Sequence, residues 1–528
     1  MNGMFRQSMT WLHTWTGLVF CWLLYFMFVT GTLGYFDTEI DQWMKPEFGA
    51  SAPADFSSSL AAGQQRLAET APAADNWFIN PANGREYPHL RVFWNKVPEG
   101  GGDREFGDEF LSMPHGSPIE EVRETGGGQV LYRMHYLLHY FPGQMGYYIM
   151  AIATMLMFIG IMTGIVAHKK IFADFFTFRW AKGQRSWLDM HNLLAVSTLP
   201  FQLMITYSGL IFTVVLWMPF VALGTYGFDI KALSNIQTEI FDQEVVERSG
   251  TSAPLVDVGS VAQQGIDKWG EGNVRGVQVQ FPNDQNARIV LQRKADFGPI
   301  SDTMTFDGTT GELLSETQGY PNAALGFAGT LIGLHEGLFA GPLLRWLYFL
   351  MGTLGIAMIA TGAIYWCVKR KPKTYASDVG FGYRFVEHLN VGTIAGLLIA
   401  VVVYFWANRL LAIDLVDRAD WEVHCMFLGW LACFVHALIR PLDRAWVEQC
   451  WALAALCFGL PIVNFLTTDI HLMNTLSQGN WVLASFDLVA IAVGLAAVYA
   501  GRLLSRKLVP NDTVGVEAVY EESPASAG

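Results

Sequence analysis

Residues 11–31, WLHTWTGLVFCWLLYFMFVTG, form an apolar stretch with a histidine near one end and a glycine near the other, and the fold prediction starts from this pattern. The stretch is long enough to cross the roughly 30 Å hydrocarbon core of a membrane as a helix. His13 stands near one end and Gly31 near the other, and a second apolar stretch repeats the arrangement with His191 and Gly209. Both pairs are 18 residues apart, about five helical turns, so each histidine shares a helix face with its glycine.

Composition places the whole chain in the membrane class. Of its 528 residues, 52% are hydrophobic and 15% are charged, against about 25% charged in an ordinary soluble domain. This rules out a disordered chain and argues against a soluble enzyme. All six cysteines lie in or beside apolar stretches, so no disulfide framework is expected in the polar segments. The eight predicted spans are 13–36, 145–167, 190–217, 343–368, 389–411, 421–439, 447–467 and 481–503.

The basic residues predict the orientation. Lysine and arginine cluster after the second, fourth, sixth and eighth spans, so these loops and both termini are predicted to be cytoplasmic. The net charge of −13 argues against nucleic acid as a partner, because phosphate binding needs a basic face. The clusters are Lys169, Lys170, Arg179, Lys182 and Arg185; Lys369, Arg370, Lys371, Lys373 and Arg384; Arg440 and Arg444; and Arg502, Arg506 and Lys507.

Two long polar segments are then predicted to lie on the outer side of the membrane. In the first, 60–69 is predicted to be an amphipathic helix, and 77–79 and 90–94 are predicted strands. In the second, 256–269 is predicted to be helical, and 274–281, 287–292 and 303–306 alternate apolar and polar residues like half-exposed strands. The predicted organisation is a first span (1–36), an outer α+β domain (37–143), two spans (144–217), a second α+β domain (218–340), a fourth span (341–368), four C-terminal spans (389–504) and a disordered cytoplasmic tail (505–528).

Spans two and four share a second repeated pattern. His139 precedes the second span and Gly164 lies near its end, while His335 and Gly362 take the same places around the fourth. The first part of the chain therefore predicts a helix, an outer domain and a helix, repeated once, and the two units form a four-helix core. The histidines of spans one and three are expected near the cytoplasmic face, and His139 and His335 near the outer face.

This placement favours haem binding. Neutral imidazole is a good iron ligand, and facing helices of a bundle commonly hold metals and cofactors. Two histidines on two facing helices suit a b-type haem, with Gly31 and Gly209 leaving room for the macrocycle, and two such sites form an electron path across the bilayer. The alternative is that these are interfacial histidines, because duplication copies a structural residue as readily as a ligand.

Other ionisable residues in the spans carry weaker hypotheses. His168 is interpreted as an interfacial residue, and His388 and His436 lie at similar depths, where a third haem is conceivable. His424 and His471 have no assigned role. Asp487 is the most buried acid of the last span and has no evident partner, so it is a candidate for function or for helix packing. His335-Glu336 is not a zinc-protease motif, because Phe339 replaces the second histidine.

In combination the motifs resemble the PepSY-associated transmembrane proteins. Individually they are short, but together they cover essentially the whole chain, and the last of them resembles the longer members that have four extra helices. The motifs are Leu12-His13-Thr14-Trp15-Thr16-Gly17, His135-Tyr136-Leu137-Leu138-His139, Met190-His191, Thr309-Thr310-Gly311-Glu312, Leu334-His335-Glu336-Gly337 and Phe405-Trp406-Ala407-Asn408-Arg409-Leu410-Leu411.

The resemblance implies a bacterial inner-membrane protein of the iron-uptake type with PepSY-like periplasmic modules. Members of that family include di-haem reductases that pass electrons to ferric siderophores. Carried over to this chain, the resemblance points to His13, His191, His139 and His335 as axial ligands of two b haems. His135, one turn before His139 on an assumed common helix face, is an alternative outer ligand or a partner of the ligand.

The resulting hypothesis is a transmembrane haem b oxidoreductase that reduces a ferric complex outside. The sequence has no flavin or nicotinamide fingerprint, so the electron donor is expected to be a separate cytoplasmic reductase or a membrane quinol. Two rival functions stay open at this point. One is a non-enzymatic module whose outer domains bind or inhibit a partner protein, and the other is a permease for an iron complex.

Overall fold

The computed structural model describes most of the chain. The described residues are 3–49, 55–82, 85, 89–97, 105–113, 116–119, 122–168, 175, 178–179, 182–217, 246–295, 297–371 and 380–506. Four of the basic residues that predict the orientation lie outside this part of the chain, namely Lys169, Lys170, Lys373 and Lys507. The predicted disordered tail also lies almost wholly outside it.

Helices make up most of the secondary structure. In chain order they are α1 (Gly3–Gly34), α2 (Asp37–Met44), α3 (Phe56–Thr70), α4 (Gly127–Met134), α5 (Met145–Ala167), α6 (Gln184–Phe212), α7 (Val214–Trp217), α8 (Val258–Trp269), α9 (Ala323–Glu336), α10 (Pro342–Arg370), α11 (Phe381–Ile394), α12 (Gly396–Leu410), α13 (Arg418–Ile439), α14 (Leu442–Thr467), α15 (Leu472–Ser477) and α16 (Trp481–Arg506).

Eight helical stretches in the described residues are long and apolar enough to cross a membrane, which confirms the predicted number. They are α1, α5, α6, α10, α13, α14, α16 and the stretch Phe381–Leu410, which comprises α11 and α12. Six of them begin earlier than the sequence predicts, and for α1 and α6 this moves a predicted ligand. Because α1 begins at Gly3 and α6 at Gln184, His13 and His191 lie two to three turns inside their helices instead of at the helix starts.

Two compact units divide the chain. The first contains residues 1–369 and 412–419, and the second contains 370–411 and 420–528. The repeated histidine motifs all lie in the first unit.

The polar segments of the first unit form one antiparallel sheet. The sequence predicts a separate α+β domain from each segment, whereas here each segment supplies four strands and β1 pairs with β5 at the centre. Joining the two halves pairs one edge of each, which leaves fewer unpaired backbone groups. In sheet order the strands are β4 (Ser117–Pro118), β3 (Glu105–Ser112), β2 (Leu90–Lys96), β1 (Asn76–Asn80), β5 (Val274–Gln280), β6 (Arg288–Arg293), β7 (Thr303–Asp307) and β8 (Leu313–Thr317).

Alternating residues give this sheet two different faces. On one face Trp77, Val92, Val279 and Ile289 are fully buried in a core that also takes in residues of α3 and α8. The residues between them point to the opposite side, which we call the open face. α3 and α8 begin alike, since Asp55 and Asp257 each cap a serine N–H three residues on, which supports the predicted repeat.

Small residues let the long helices of the first unit approach closely. α1 packs on α5, and α5 on α6. On α10, a Cβ at Gly352 would lie 2.4 Å from Thr32 Oγ1 of α1, and one at Gly355 would lie 2.4 Å from Gln202 Nε2 of α6. Close packing of this kind is typical of membrane helices, and here it closes the predicted four-helix core.

The second unit contains a buried polar network that corrects the interpretation of Asp487. Asp487 accepts a hydrogen bond from Asn464 Nδ2 at 3.2 Å, so it does have a partner. The amide oxygen of Asn464 in turn accepts from Arg409 Nε at 2.9 Å. Arg409 also donates to Asn408, whose amide donates to Glu422 at 2.7 Å. All five side chains are at least nine-tenths buried.

Candidate metal centres

The first pair of facing imidazoles joins two of the predicted ligands. His13 of α1 and His191 of α6 have ring centroids 6.3 Å apart and ring planes inclined by 58°. His13 Nδ1 donates to the carbonyl of Gly160 in α5 at 2.8 Å, and His191 Nδ1 donates to the carbonyl of Met358 in α10 at 2.9 Å. A carbonyl oxygen only accepts hydrogen bonds, so each Nδ1 carries the hydrogen and each Nε2 keeps its lone pair.

The second pair consists of His135, just after α4, and His335 in α9. Their ring centroids lie 5.9 Å apart, with the planes inclined by 43°. His135 Nδ1 donates to the carbonyl of Met27 in α1 at 2.8 Å. His335 Nδ1 lies 3.0 Å from Ser208 Oγ, whose own hydrogen is directed at the carbonyl of Met204, so the hydroxyl oxygen accepts from Nδ1. Both Nε2 atoms again keep their lone pairs.

A glycine of a neighbouring helix lies against each of the four imidazole rings. The four contacts, given from a Cβ built on the glycine to the nearest ring atom, are Gly31 to His135 at 2.4 Å, Gly164 to His13 at 3.0 Å, Gly209 to His335 at 3.1 Å and Gly362 to His191 at 3.0 Å. The glycines are therefore needed where the imidazoles approach the helix backbone. That Gly31 and Gly209 also make room for a macrocycle stays a prediction.

The residue before each of these glycines is a buried threonine or serine. Thr163 Oγ1 donates to the carbonyl of Gly160 at 3.1 Å, and Thr361 Oγ1 to that of Met358 at 2.9 Å. These are the same carbonyls that accept from the two histidines of the first pair, and Thr30 makes the equivalent bond in α1. The repeated small-residue pair thus builds a socket that fixes the orientation and the tautomer of each ring.

The spacing of the rings suits one metal ion between each pair. Two imidazole nitrogens that bind one ion at about 2 Å each stand about 4 Å apart, which puts the ring centroids about 6 Å apart. No group of three or more histidine, cysteine, aspartate or glutamate side chains among the described residues could hold a metal ion. Each pair therefore offers two imidazole ligands, and a planar macrocycle such as haem would supply the others.

A family comparison covers the part of the chain that holds both histidine pairs. The family model of the PepSY-associated TM region matches residues 10–369, which include all four paired histidines. The chain belongs to the PepSY-associated transmembrane family. No curated protein sequence matches the chain. With its eight apolar helical stretches, this member of the family is a multi-pass membrane protein.

In this PepSY-associated protein, His135 and not His139 faces His335. The sequence predicts that His135 and His139 lie one turn apart on one helix face. This prediction is wrong, because α4 ends at Met134 and turns follow. The ring of His139 lies against Tyr140, with centroids 4.7 Å apart, and the side chain is exposed. The sequence signal for His135 was the double-histidine motif itself, which left the choice open.

The remaining histidines have other surroundings. His168 Nε2 accepts from the amide of Asn192 at 2.9 Å, next to the first pair. In the second unit, His436 bonds Glu448 at 2.8 Å, whereas His388 is half-buried and donates to the carbonyl of Arg384. The rings of His424 and His471 pack edge-on against Trp421 and Phe465 respectively.

A cavity of about 350 Å³ adjoins the second pair. His135, His335 and Glu336 line it, together with apolar and aromatic side chains of α1, α5 and α6. Two of its lining residues, Tyr136 and Phe212, are exposed, so the cavity reaches the surface of the protein. Its size lies within the range of small-molecule sites.

The electrostatics of this cavity keep its imidazoles neutral. Burial, followed by the proximity of His135, lowers the pKa of His335 to about 3, and burial lowers the pKa of His135 as well. Burial also raises the pKa of Glu336, which accepts a hydrogen bond from Tyr132 Oη at 3.3 Å. A neutral imidazole with Nδ1 occupied is the form that binds a metal through Nε2.

Proposed function

We propose that this protein is an inner-membrane di-haem b oxidoreductase that passes electrons across the membrane to a periplasmic ferric complex. The observation that carries the proposal is the pair of matched sites, in which two imidazoles face each other at about 6 Å with each Nδ1 anchored. His13 and His191 would hold one haem, and His135 and His335 the other. When bound, such haems supply reversible one-electron chemistry at iron.

The chain's own residues then account for how the haems are held. The Nδ1–H bonds, three to helix carbonyls and one to the Ser208 hydroxyl, make each imidazole more basic and fix its plane, two means by which a protein tunes a bound metal. The cavity beside His135 and His335 gives an iron complex a place to approach the outer site, with Tyr136 and Phe212 at its exposed part.

The direction of electron flow follows from the orientation that we infer from the basic loops. With both termini cytoplasmic, His13 and His191 face the cytoplasmic side, and the sheet lies in the periplasm. The donor would be a separate cytoplasmic reductase or a quinol, and the acceptor a ferric siderophore or another iron complex. The outer α+β halves would be the PepSY-like modules of the family.

A pyridine haemochrome assay on the detergent-purified chain tests the proposal. We expect about two b haems per chain, about one after His135→Ala or His191→Ala, and about two after His139→Ala. The His139 variant is the matched control, because it removes an imidazole four residues away that does not face His335. Loss of haem in His139→Ala but not in His135→Ala would reassign the outer ligand.

The same assay separates this function from its rivals. A chain that purifies folded and without haem from haem-replete cells would contradict the reductase and favour a binding module or a permease. If haem is present, adding a ferric complex to vesicles on the side that carries the sheet should oxidise the reduced haem. Its reduced b-type absorption bands should then disappear. Uptake of the complex without any reductant would instead favour the permease.

A further inference from the structure

The two halves of the sheet are related by a local twofold axis, so their positions can be compared directly. Phe78 of β1 pairs with Gln278 of β5 at the junction. Moving outward from this junction, Phe78 pairs with Phe93, and Gln278 pairs with Val290. The next residue of β2 on the same face is Arg91, which pairs with Phe110 in the first half. In the second half Arg288 opposes Asp307 in the same register.

The first half carries aromatic rings on the open face where the second half does not. The equivalent positions, first half and then second half, are Phe78 and Gln278, Phe93 and Val290, Phe106 and Thr303, and Phe110 and Asp307. The second half builds the same strands with amide, aliphatic, hydroxyl and carboxylate side chains. The fold itself therefore does not require aromatic residues at these positions, and a separate reason for them is needed.

The rings of the first half form a continuous strip with two cations. Phe78 and Phe93 stack with planes 4° apart and centroids 4.3 Å apart. The guanidinium carbon of Arg91 lies 5.4 Å from the centroids of both Phe93 and Phe110. Lys45 Nζ lies 5.1 Å from the centroid of Phe110. We call these five residues, together with Phe48, the aromatic–cationic strip.

The strip is accessible and leads toward the second histidine pair. Phe106, which continues it at the far end of β3, is 71% exposed, and the Arg91 side chain is 42% exposed. At its other end, Lys45 directly follows α2. In α2, Asp41 accepts a hydrogen bond from the backbone N–H of Gly128 in α4 at 2.8 Å. α4 in turn ends beside His135, which lines the cavity.

The chemistry of the strip selects one class of ligand. Aromatic faces bind other planar rings, and the two cations above them favour a negatively charged ligand over a neutral one. In the second half the residue opposite the equivalent arginine is a carboxylate in place of Phe110, and Arg288 Nη1 lies 3.5 Å from Asp307. Arg91 has its own acidic neighbour, Asp108, which accepts from Nη2 at 2.8 Å and competes with an anionic ligand.

We propose that the aromatic–cationic strip binds anionic iron chelates whose ligand groups are aromatic, of the catecholate type, and that it presents them to the cavity at His135 and His335. The binding step stands on the strip alone, whereas the delivery step rests on the proposed reductase function. Neutral chelates without rings, such as hydroxamates, lack both features that the strip recognises.

A redox-inert probe tests binding separately from electron transfer. Isothermal titration of the detergent-purified full chain with gallium(III) tris-catecholate, which is trianionic, should give saturable binding. Neutral gallium(III) tris-acetohydroxamate should not bind or compete. Arg91→Ala and Phe93→Ala should each weaken binding about tenfold, equivalent to about 1.4 kcal/mol. The matched control at the symmetry-related position, Arg288→Ala, should leave the dissociation constant unchanged.

A variant that is expected to bind more tightly serves as a further control, because misfolding would weaken binding and not tighten it. Asp108→Asn removes the competing carboxylate, so it should tighten binding of the catecholate probe about threefold or more. Size-exclusion chromatography of the same samples shows whether each variant is folded. Equal binding of both gallium chelates, no binding of either, or an unchanged constant in both strip variants would overturn the proposal. None of these results bears on whether the protein holds haem, so the two proposals fail separately.

Discussion

The four sockets show how a glycine, a hydroxyl and a backbone carbonyl together specify a histidine. The carbonyl four residues before Gly31, Gly164 or Gly362 accepts from an imidazole of another helix. The glycine supplies the space that this approach needs. The preceding threonine or serine occupies a carbonyl of its own helix, so no polar group of the socket is left without a partner.

Gly31→Ala is expected to abolish the haem site at His135. The added Cβ would stand 2.4 Å from His135 Nδ1, so the ring must leave the position from which it faces His335. The haemochrome assay should then give about one haem per chain. Gly17→Ala on the same helix is the matched control, because nothing lies within 4 Å of its added Cβ, and about two haems should remain. Equal haem content in the two variants would show that the Gly31 contact has no role in ligation.

At the residue scale, the sequence predicted three of the four paired histidines by repetition alone. The fourth required knowing where α4 ends, since His135 and His139 share a face only if one continuous helix carries both. α4 begins within the glycine-rich residues 126–128, and turns follow its last residue, Met134. Neither boundary is marked by a strong capping residue. The role of the glycines was also hidden, because it depends on which helix is the neighbour.

At the scale of the elements, β3 shows why a half-exposed strand can be missed when strands are predicted from the sequence. Its residues facing α3 include Gly107, which lies under Trp94, and Glu109, which forms a bidentate ion pair with Arg66. The alternation of apolar and polar residues that marked β5 and β6 is therefore lost. The joining of the halves was equally hidden, because each half alone is a complete α+β pattern.

The central strands should exchange their amide hydrogens much more slowly than the edge strand β8. β1 and β5 are hydrogen-bonded on both sides, whereas β8 is paired on one side and largely exposed. Hydrogen–deuterium exchange on the detergent-purified chain should protect peptides covering 76–80 and 274–280 well beyond those covering 313–317. Equal protection of all three would mean that the two halves separate in solution.

In the whole molecule, all four paired histidines belong to the first unit and none to the second. The four paired histidines lie between residues 13 and 335, within the part that the family model matches. Along α1, His13 and the socket glycine Gly31 are about 27 Å apart at 1.5 Å per residue, so the two sites lie near opposite ends of the helix. The last four candidate spans hold instead a polar network of their own.

Breaking that network should destabilise the protein without changing the haem stoichiometry of the folded fraction. Arg409→Met removes the hydrogen bonds that Asn464 and Asn408 accept from Arg409, and it removes the positive charge from a group that includes Glu422 and Asp487. Loss of one partner in a buried ionic network costs about 3–5 kcal/mol, so the apparent melting temperature should fall by several degrees.

Thermal melting followed by size-exclusion chromatography measures this effect, and the haemochrome assay on the monodisperse peak measures haem per chain. Arg444→Met is the matched control, because Arg444 is exposed at the other end of the second unit and its loss should change neither value. If Arg409→Met instead lost haem while its melting temperature stayed unchanged, the second unit would act on the haem sites directly. The C-terminal helices would then belong to the electron path rather than to the scaffold.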